Sequence, residues 1–203
     1  MILLVHGPNL NLLGEREPER YGRETLPEIE RLVTGACAAY GVEVAAFQSN
    51  AEGALLDFLQ AHRHGAEGVI VNPGALAHTS RALPECLSAL GCPVVEVHLD
   101  NPYAREPAPG ASLVAGVARG QIVGLGALGY HYAAVHLCDL LARAAAEAPG
   151  AAAAPSIAAQ LARARPPAAR PPPAVGSGAE IAPESEEEEI PEDLTARGDY
   201  EPL

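Results

Sequence analysis

Residues 5 to 22, Val-His-Gly-Pro-Asn-Leu-Asn-Leu-Leu-Gly-Glu-Arg-Glu-Pro-Glu-Arg-Tyr-Gly, hold the side chains best suited to proton transfer. Tyr21 follows two arginines, Arg16 and Arg20. A phenol has a reference pKa of about 10, so ionising it at neutral pH costs roughly 4 kcal/mol. One arginine at about 4 Å, at an effective dielectric of about 20, offsets that cost. Tyr21 is therefore a candidate base, with either arginine as its partner. The competing reading is a tyrosine packed over a sheet edge with its hydroxyl in water. A second candidate is His98, in Glu96-Val97-His98. Residues two apart on a strand share a face. Glu96 can thus bond one imidazole nitrogen of His98 and stabilise its protonated form, which suits a general acid. The same spacing would serve a purely structural His–Glu pair. Asn9, Asn72 and His78 add polar groups that could hold a ligand or a water. Asparagine near Gly-Pro is also common simply as a turn residue.

These residues sit where predicted strands end. Residues 1–6 are apolar and too short for a helix, so they predict a buried strand. Thr25-Leu26-Pro27-Glu28 has capping-box spacing, with proline in the first turn. Ile29, Leu32, Val33, Ala36 and Cys37 then recur at helical spacing, and Gly41 ends the helix. Further strands are predicted at 42–47, 68–71, 93–97 and 121–123. Helices are predicted from Leu55 to about His64, from Ser80 to Leu90 and from Ala127 to Ala148, with Pro84 distorting the third. Residues 99–119 are predicted as a long loop. Alternating strands and helices indicate a parallel sheet of right-handed βαβ units. The fold class is α/β, a flavodoxin-like, doubly wound, five-stranded parallel sheet. Periodicity does not set the strand order, but the exits of the first, third and fourth strands would share one edge. Ligands bind at that edge in open α/β folds.

Composition narrows the function. The 203 residues suffice for one domain with a sizeable core. The net charge of −13 argues against nucleic acid and anionic membranes as partners. No apolar run reaches the ~20 residues of a membrane span. The first residues lack the pattern of a secretory signal, so a soluble cytoplasmic protein is expected. All 13 basic residues are arginine. Without lysine, Schiff-base, pyridoxal phosphate and Walker A chemistries are excluded. The four cysteines form no Cys-x-x-Cys pair and lie at no metal-ligand spacing from histidine, predicting idle or buried thiols. Gly124 to Gly129 has Gly-x-Gly-x-x-Gly spacing, but it follows the last strand, which argues against dinucleotide binding. Near Pro149 the composition turns Ala-, Pro- and Glu-rich. Residues 149–203 carry ten acids and four arginines, −6 of the total charge. A catalytic domain at 1–148 followed by a disordered C-terminal tail is expected.

The motifs together resemble those of type II 3-dehydroquinate dehydratases. Gly7 to Gly14 with Arg16-Glu17-Pro18 and Tyr21-Gly22 is similar to that family's first signature. Asn72-Pro-Gly-Ala with His78-Thr79-Ser80 is similar to the second. Glu96-Val-His98, Asn101 and Ala104-Arg105-Glu106 are similar to the third, and Gly120 to Tyr130 to its closing strand and turn. The resemblance covers about residues 1–146. It implies a dodecamer built of trimers and a cofactor-free, metal-free dehydration of 3-dehydroquinate to 3-dehydroshikimate. Tyr21 would take the proton at C2 with Arg16 as its electrostatic partner, and Asn9 would hold a water that stabilises the enolate. His98, oriented by Glu96, would protonate the departing C1 hydroxyl. Asn72, His78, Leu99, Asp100 and Arg105 would bind substrate. Three positions depart from the family pattern. Asp100 stands where the family usually has a serine on the substrate carboxylate, predicting repulsion unless a cation bridges the two. Pro109 replaces an arginine of the long loop. Glu85 replaces an aspartate that reaches a neighbouring subunit's site. Two alternatives therefore stand beside the dehydratase: a diverged relative acting on another cyclic ketone, and a non-catalytic oligomeric scaffold.

Overall fold

The computed structural model describes residues 1–104 and 110–147. Five parallel strands form its sheet: β1 (Ile2–His6), β2 (Val44–Gln48), β3 (Gly68–Asn72), β4 (Val94–His98) and β5 (Gly120–Val123), in the order β2-β1-β3-β4-β5. This is the flavodoxin-like order, and β1, β3 and β4 are its three central strands. Their exits meet at one edge, as expected from the sequence.

Side-chain alternation along the strands divides the core in two. Ile2, Leu4, Ile70, Val95 and Val97 face helices α2 (Leu26–Ala38) and α6 (Ala127–Glu147). Leu3, Val5, Val69, Val71 and Val94 face α3 (Glu52–Ala61) and α5 (Ala82–Ala89). The strand segments Ile2–His6, Gly68–Asn72 and Val94–His98 are buried throughout. That burial on both faces is why they read as continuous apolar runs rather than as alternating ones.

The capping box at Thr25 and Glu28 forms in full, with the Glu28 carboxylate accepting from the Thr25 amide at 2.9 Å. The helix predicted from Ser80 to Leu90 is α5, slightly shorter at each end. A separate helical turn, α4 (Leu76–Thr79), precedes it. Between them Ser80 accepts from the Leu83 amide through its hydroxyl, and Pro84 sits in the first turn of α5. The polar stretch that follows β1 contains a 3-10 turn (Leu10–Leu12) and one helical turn, α1 (Pro18–Tyr21). Its local hydrogen bonds replace the sheet partners that a strand would have had.

Close approach of β1 and β3 sets the floor of the edge. The Gly7 amide donates to the Asn72 carbonyl at 2.8 Å, and a Cβ at Gly7 would collide with the Pro73 carbonyl oxygen. Only glycine fits there. The four cysteines are free thiols, with Cys37 and Cys138 buried. No helix among the described residues is long and apolar enough to cross a membrane. The tail, residues 149–203, lies outside the described residues.

Candidate active site

A cleft of about 420 Å³ opens at the carboxyl edge of the sheet, over the exits of β1, β3 and β4. Asn9, Arg16, Tyr21, Asn72, His78, His98, Leu99 and Asp100, all expected from the sequence, line it together with Arg20. Leu10 and Leu13 contribute an aliphatic wall. The cleft gathers one phenol, two guanidiniums and two imidazoles.

The Tyr21 side is built by local turns. Asn9 adopts a left-handed conformation, φ 68°, which asparagine tolerates better than most residues. Its amide donates to the Asn50 side chain at 2.8 Å, and Gln48 bonds both Asn50 and the Gly7 carbonyl. The polar exit of β2 therefore braces the β1 turn. Glu17, also left-handed at φ 43°, opens α1 and accepts from Arg16 Nε at 3.0 Å and Arg20 Nη1 at 3.1 Å. These two arginines, Arg20 first, hold the Glu17 carboxyl below the ordinary range. Both guanidiniums lie over the Tyr21 ring, Arg20 at 4.7 Å and Arg16 at 5.6 Å from its centroid. Positive charge against the ring face is favourable in itself and more so for a phenolate.

The His98 side is built by strand register. Val94, Glu96 and His98 share one face of β4, and His98 Nε2 donates to Glu96 Oε1 at 2.8 Å. Glu96 lies opposite Gln121 of β5, whose Nε2 donates to Oε2 at 2.7 Å. Ser112 Oγ adds a third bond at 2.6 Å. Burial alone would raise the Glu96 carboxyl, but the bonds from His98, Ser112 and Gln121 outweigh it and hold it below its ordinary value. Glu96 is thus an ionised acceptor that fixes which ring nitrogen of His98 carries a proton. Nδ1 is left for the cleft that His98 lines.

Asn72 is committed by its surroundings. Its Oδ1 accepts from the Gly74 amide at 3.1 Å, and its Nδ2 donates to the Tyr130 hydroxyl at 2.9 Å. Tyr130, wholly buried on α6, approaches His6 Nδ1 at 3.4 Å. His6 neighbours Asn72 in the sheet register, and burial pushes its pKa down to about 3. Because the hydroxyl accepts from Asn72 and His6 Nε2 faces the Glu30 carboxylate at 3.8 Å, the tautomer with its proton on Nε2 lets Nδ1 accept from the hydroxyl.

Sequence reasoning missed Ser112, Gln121, Tyr130 and His6. Each becomes relevant through contacts across at least 16 residues, which no local spacing reports. Asp100, expected to repel a substrate carboxylate, is paired with a cation of this chain: Arg20 Nε donates to its Oδ2 at 2.8 Å. Glu85 is exposed on α5 and does not line this cleft. Arg105 and Pro109 lie outside the described residues. Among the described residues, no group of three or more His, Cys, Asp or Glu is placed to hold a metal ion.

A family model, dehydroquinase class II, matches residues 1–138. A 3-dehydroquinate dehydratase of Roseiflexus castenholzii is 55% identical over 129 residues, 64% of this chain and 82% of that protein. One from Pseudomonas putida is 44% identical over 146 residues, 72% of this chain and 98% of that protein. The crystal structure of type II dehydroquinase from Butyrivibrio crossotus superposes with a TM-score of 0.64 at 38% identity, covering 67% of this chain and 95% of that one. A five-stranded doubly wound sheet with this edge site defines an α/β enzyme of the flavodoxin-like class. Within that class, the chain belongs to the class II dehydroquinase family.

Proposed function

We propose that the chain is a lyase that dehydrates 3-dehydroquinate to 3-dehydroshikimate, a step of the shikimate pathway, without cofactor or metal. The observation that carries this reading is the shared cleft, which brings a tyrosine under two guanidiniums to the same edge as a glutamate-oriented histidine. The Tyr21 phenolate takes the proton at C2, and the electron pair passes to the carbonyl oxygen as an enolate. A water held by Asn9 stabilises that oxyanion. The enolate then expels the C1 hydroxyl, which leaves as water with a proton from His98. Glu96 remains ionised and holds the His98 ring in place to donate that proton. Asn72, His78, the backbone at Leu99–Asp100 and Arg105 hold the substrate's oxygens.

Family resemblance also supports assembly into trimers and a dodecamer, with the exposed Glu85 reaching a neighbouring copy's site. Light scattering on the purified chain tests the assembly. For activity, the purified protein is incubated with 3-dehydroquinate and the ultraviolet absorbance of the conjugated enone product is followed. The expected result is steady turnover, and none at high enzyme concentration overturns the reading. Asp100 inside the cleft favours one second reading, a diverged dehydratase for a related cyclic ketone. In that case 3-dehydroquinate is inert while a relative with altered carboxylate chemistry turns over.

A further inference from the structure

Arg20 and Asp100 are eighty residues apart in sequence and joined by the 2.8 Å bond from Nε to Oδ2. Arg20 immediately precedes Tyr21 on α1, and Asp100 lies two residues past His98 at the exit of β4. Both line the cleft. The same guanidinium bonds Glu17 through Nη1 and lies over the Tyr21 ring. One side chain thus touches the proposed base, the residue that opens its helix and the strand end that carries the proposed acid.

Among the described residues, α1 is a single turn of four residues, none of them buried. Tyr21 is only partly buried against the α2/α6 core. The Arg20 and Asp100 side chains are 32% and 16% exposed, so the pair is better shielded than an ordinary surface ion pair.

We propose that Arg20 and Asp100 form a positioning clasp, which fixes the turn bearing Tyr21 against the strand end bearing His98. This inference rests on Tyr21 and His98 being base and acid. In a reaction that needs both groups at set distances, a displacement of about 1 Å costs on the order of 100-fold in rate. Asp100 then acts through Arg20, as a positioning residue rather than a substrate contact. The clasp predicts the opposite of carboxylate repulsion. Repulsion has Asp100→Ser tighten substrate binding, whereas the clasp has it slow the chemical step.

Steady-state kinetics of the full chain with 3-dehydroquinate separates the two. Asp100→Ser and Arg20→Gln should each lower kcat by about tenfold or more, with KM changed less than about threefold. Because the residues act as a unit, the double variant should be no slower than the slower single variant. Arg20→Lys, which keeps the charge, should recover part of the lost kcat. Retained kcat in Asp100→Ser, or single losses that multiply in the double variant, would overturn the clasp. Amide hydrogen exchange over residues 17–22 supplies a readout independent of turnover. Exchange should quicken by about tenfold in both single variants. Unchanged exchange overturns the clasp even where circular dichroism shows each variant folded. If the native chain turns over no 3-dehydroquinate, the substrate assignment falls while the exchange result still decides the clasp.

Discussion

Three donors converge on the Glu96 carboxylate, and the way they divide its oxygens explains its role. Oε1 accepts from His98 and Ser112, while Oε2 accepts from Gln121. Glu96→Gln puts an amide donor where one of these donors now points. The expected outcome is a loss of about 1–3 kcal/mol in urea-unfolding stability and a fall in kcat, because His98 loses its orienting charge. The carboxyl is held low in the fold, so its contribution is complete above the unfolded value and lost as pH falls through the folded one. Tyr21→Phe keeps the ring under both guanidiniums and removes the hydroxyl. It should reduce turnover by about 10²–10⁴-fold with an unchanged circular dichroism spectrum, and activity near that of the native chain would exclude Tyr21 as base. At this scale the sequence was legible where partners are close in the chain. His98 and Glu96 are two apart, and Arg16, Arg20 and Tyr21 lie within one short stretch. Ser112, Gln121 and Tyr130 were not legible, since a serine, a glutamine and a tyrosine acquire meaning only from what the fold sets beside them.

Elements turn those residues into a site by ending together. β1 and β3 approach so closely after His6 and Asn72 that the Gly7 amide bonds the Asn72 carbonyl. Gly7→Ala drives a methyl into the Pro73 backbone, which cannot rotate away as a side chain could. It should unfold at a lower denaturant concentration by several kcal/mol and lose activity beyond what the lost stability explains. Activity and midpoint near the native values would show that the two turns can separate without cost. The strands were legible because buried parallel strands are short, continuous apolar runs, and the α2 start because its capping box is a local pattern. The start of α5 was half-legible. Pro84 marked a first turn that begins late, and the Ser80 hydroxyl that receives the Leu83 amide sets where it begins. The turns inside residues 10–21 were hidden, since polar sequence reads the same in a loop and in a one-turn helix.

At the scale of the whole molecule, His6 gives stability a dependence on acid. Its imidazole is fully buried with a pKa of about 3, against 6.5 for a free side chain. Below pH 6.5 the unfolded chain takes up a proton that the folded chain refuses. His6 therefore stabilises fully above about pH 6.5, and that contribution falls by about 1.4 kcal/mol per pH unit toward pH 3. Urea unfolding should show about 2 kcal/mol lost between pH 7 and pH 5 in the native chain, and a flatter profile in His6→Asn. Equal profiles would show that His6 stays neutral in both states. Among the described residues, all five strands and both halves of the core lie within residues 1–147. Ending the chain at Ala148 should leave unfolding midpoint, elution volume and turnover unchanged, and an altered elution volume would show that the tail serves assembly.

The placement of β1 at the middle of the sheet has a consequence for biosynthesis. Of the five strands, the first to be made is flanked on one side by β2 and on the other by β3. Its His6 end and the Asn72 beside it share a hydroxyl contributed by Tyr130, 124 residues after His6. Asn9, Arg16 and Tyr21 are thus synthesised well before Tyr130, which fixes Asn72. A nascent chain stalled before α6 would carry Asn9, Arg16, Tyr21 and His98 and still lack the hydroxyl that fixes Asn72.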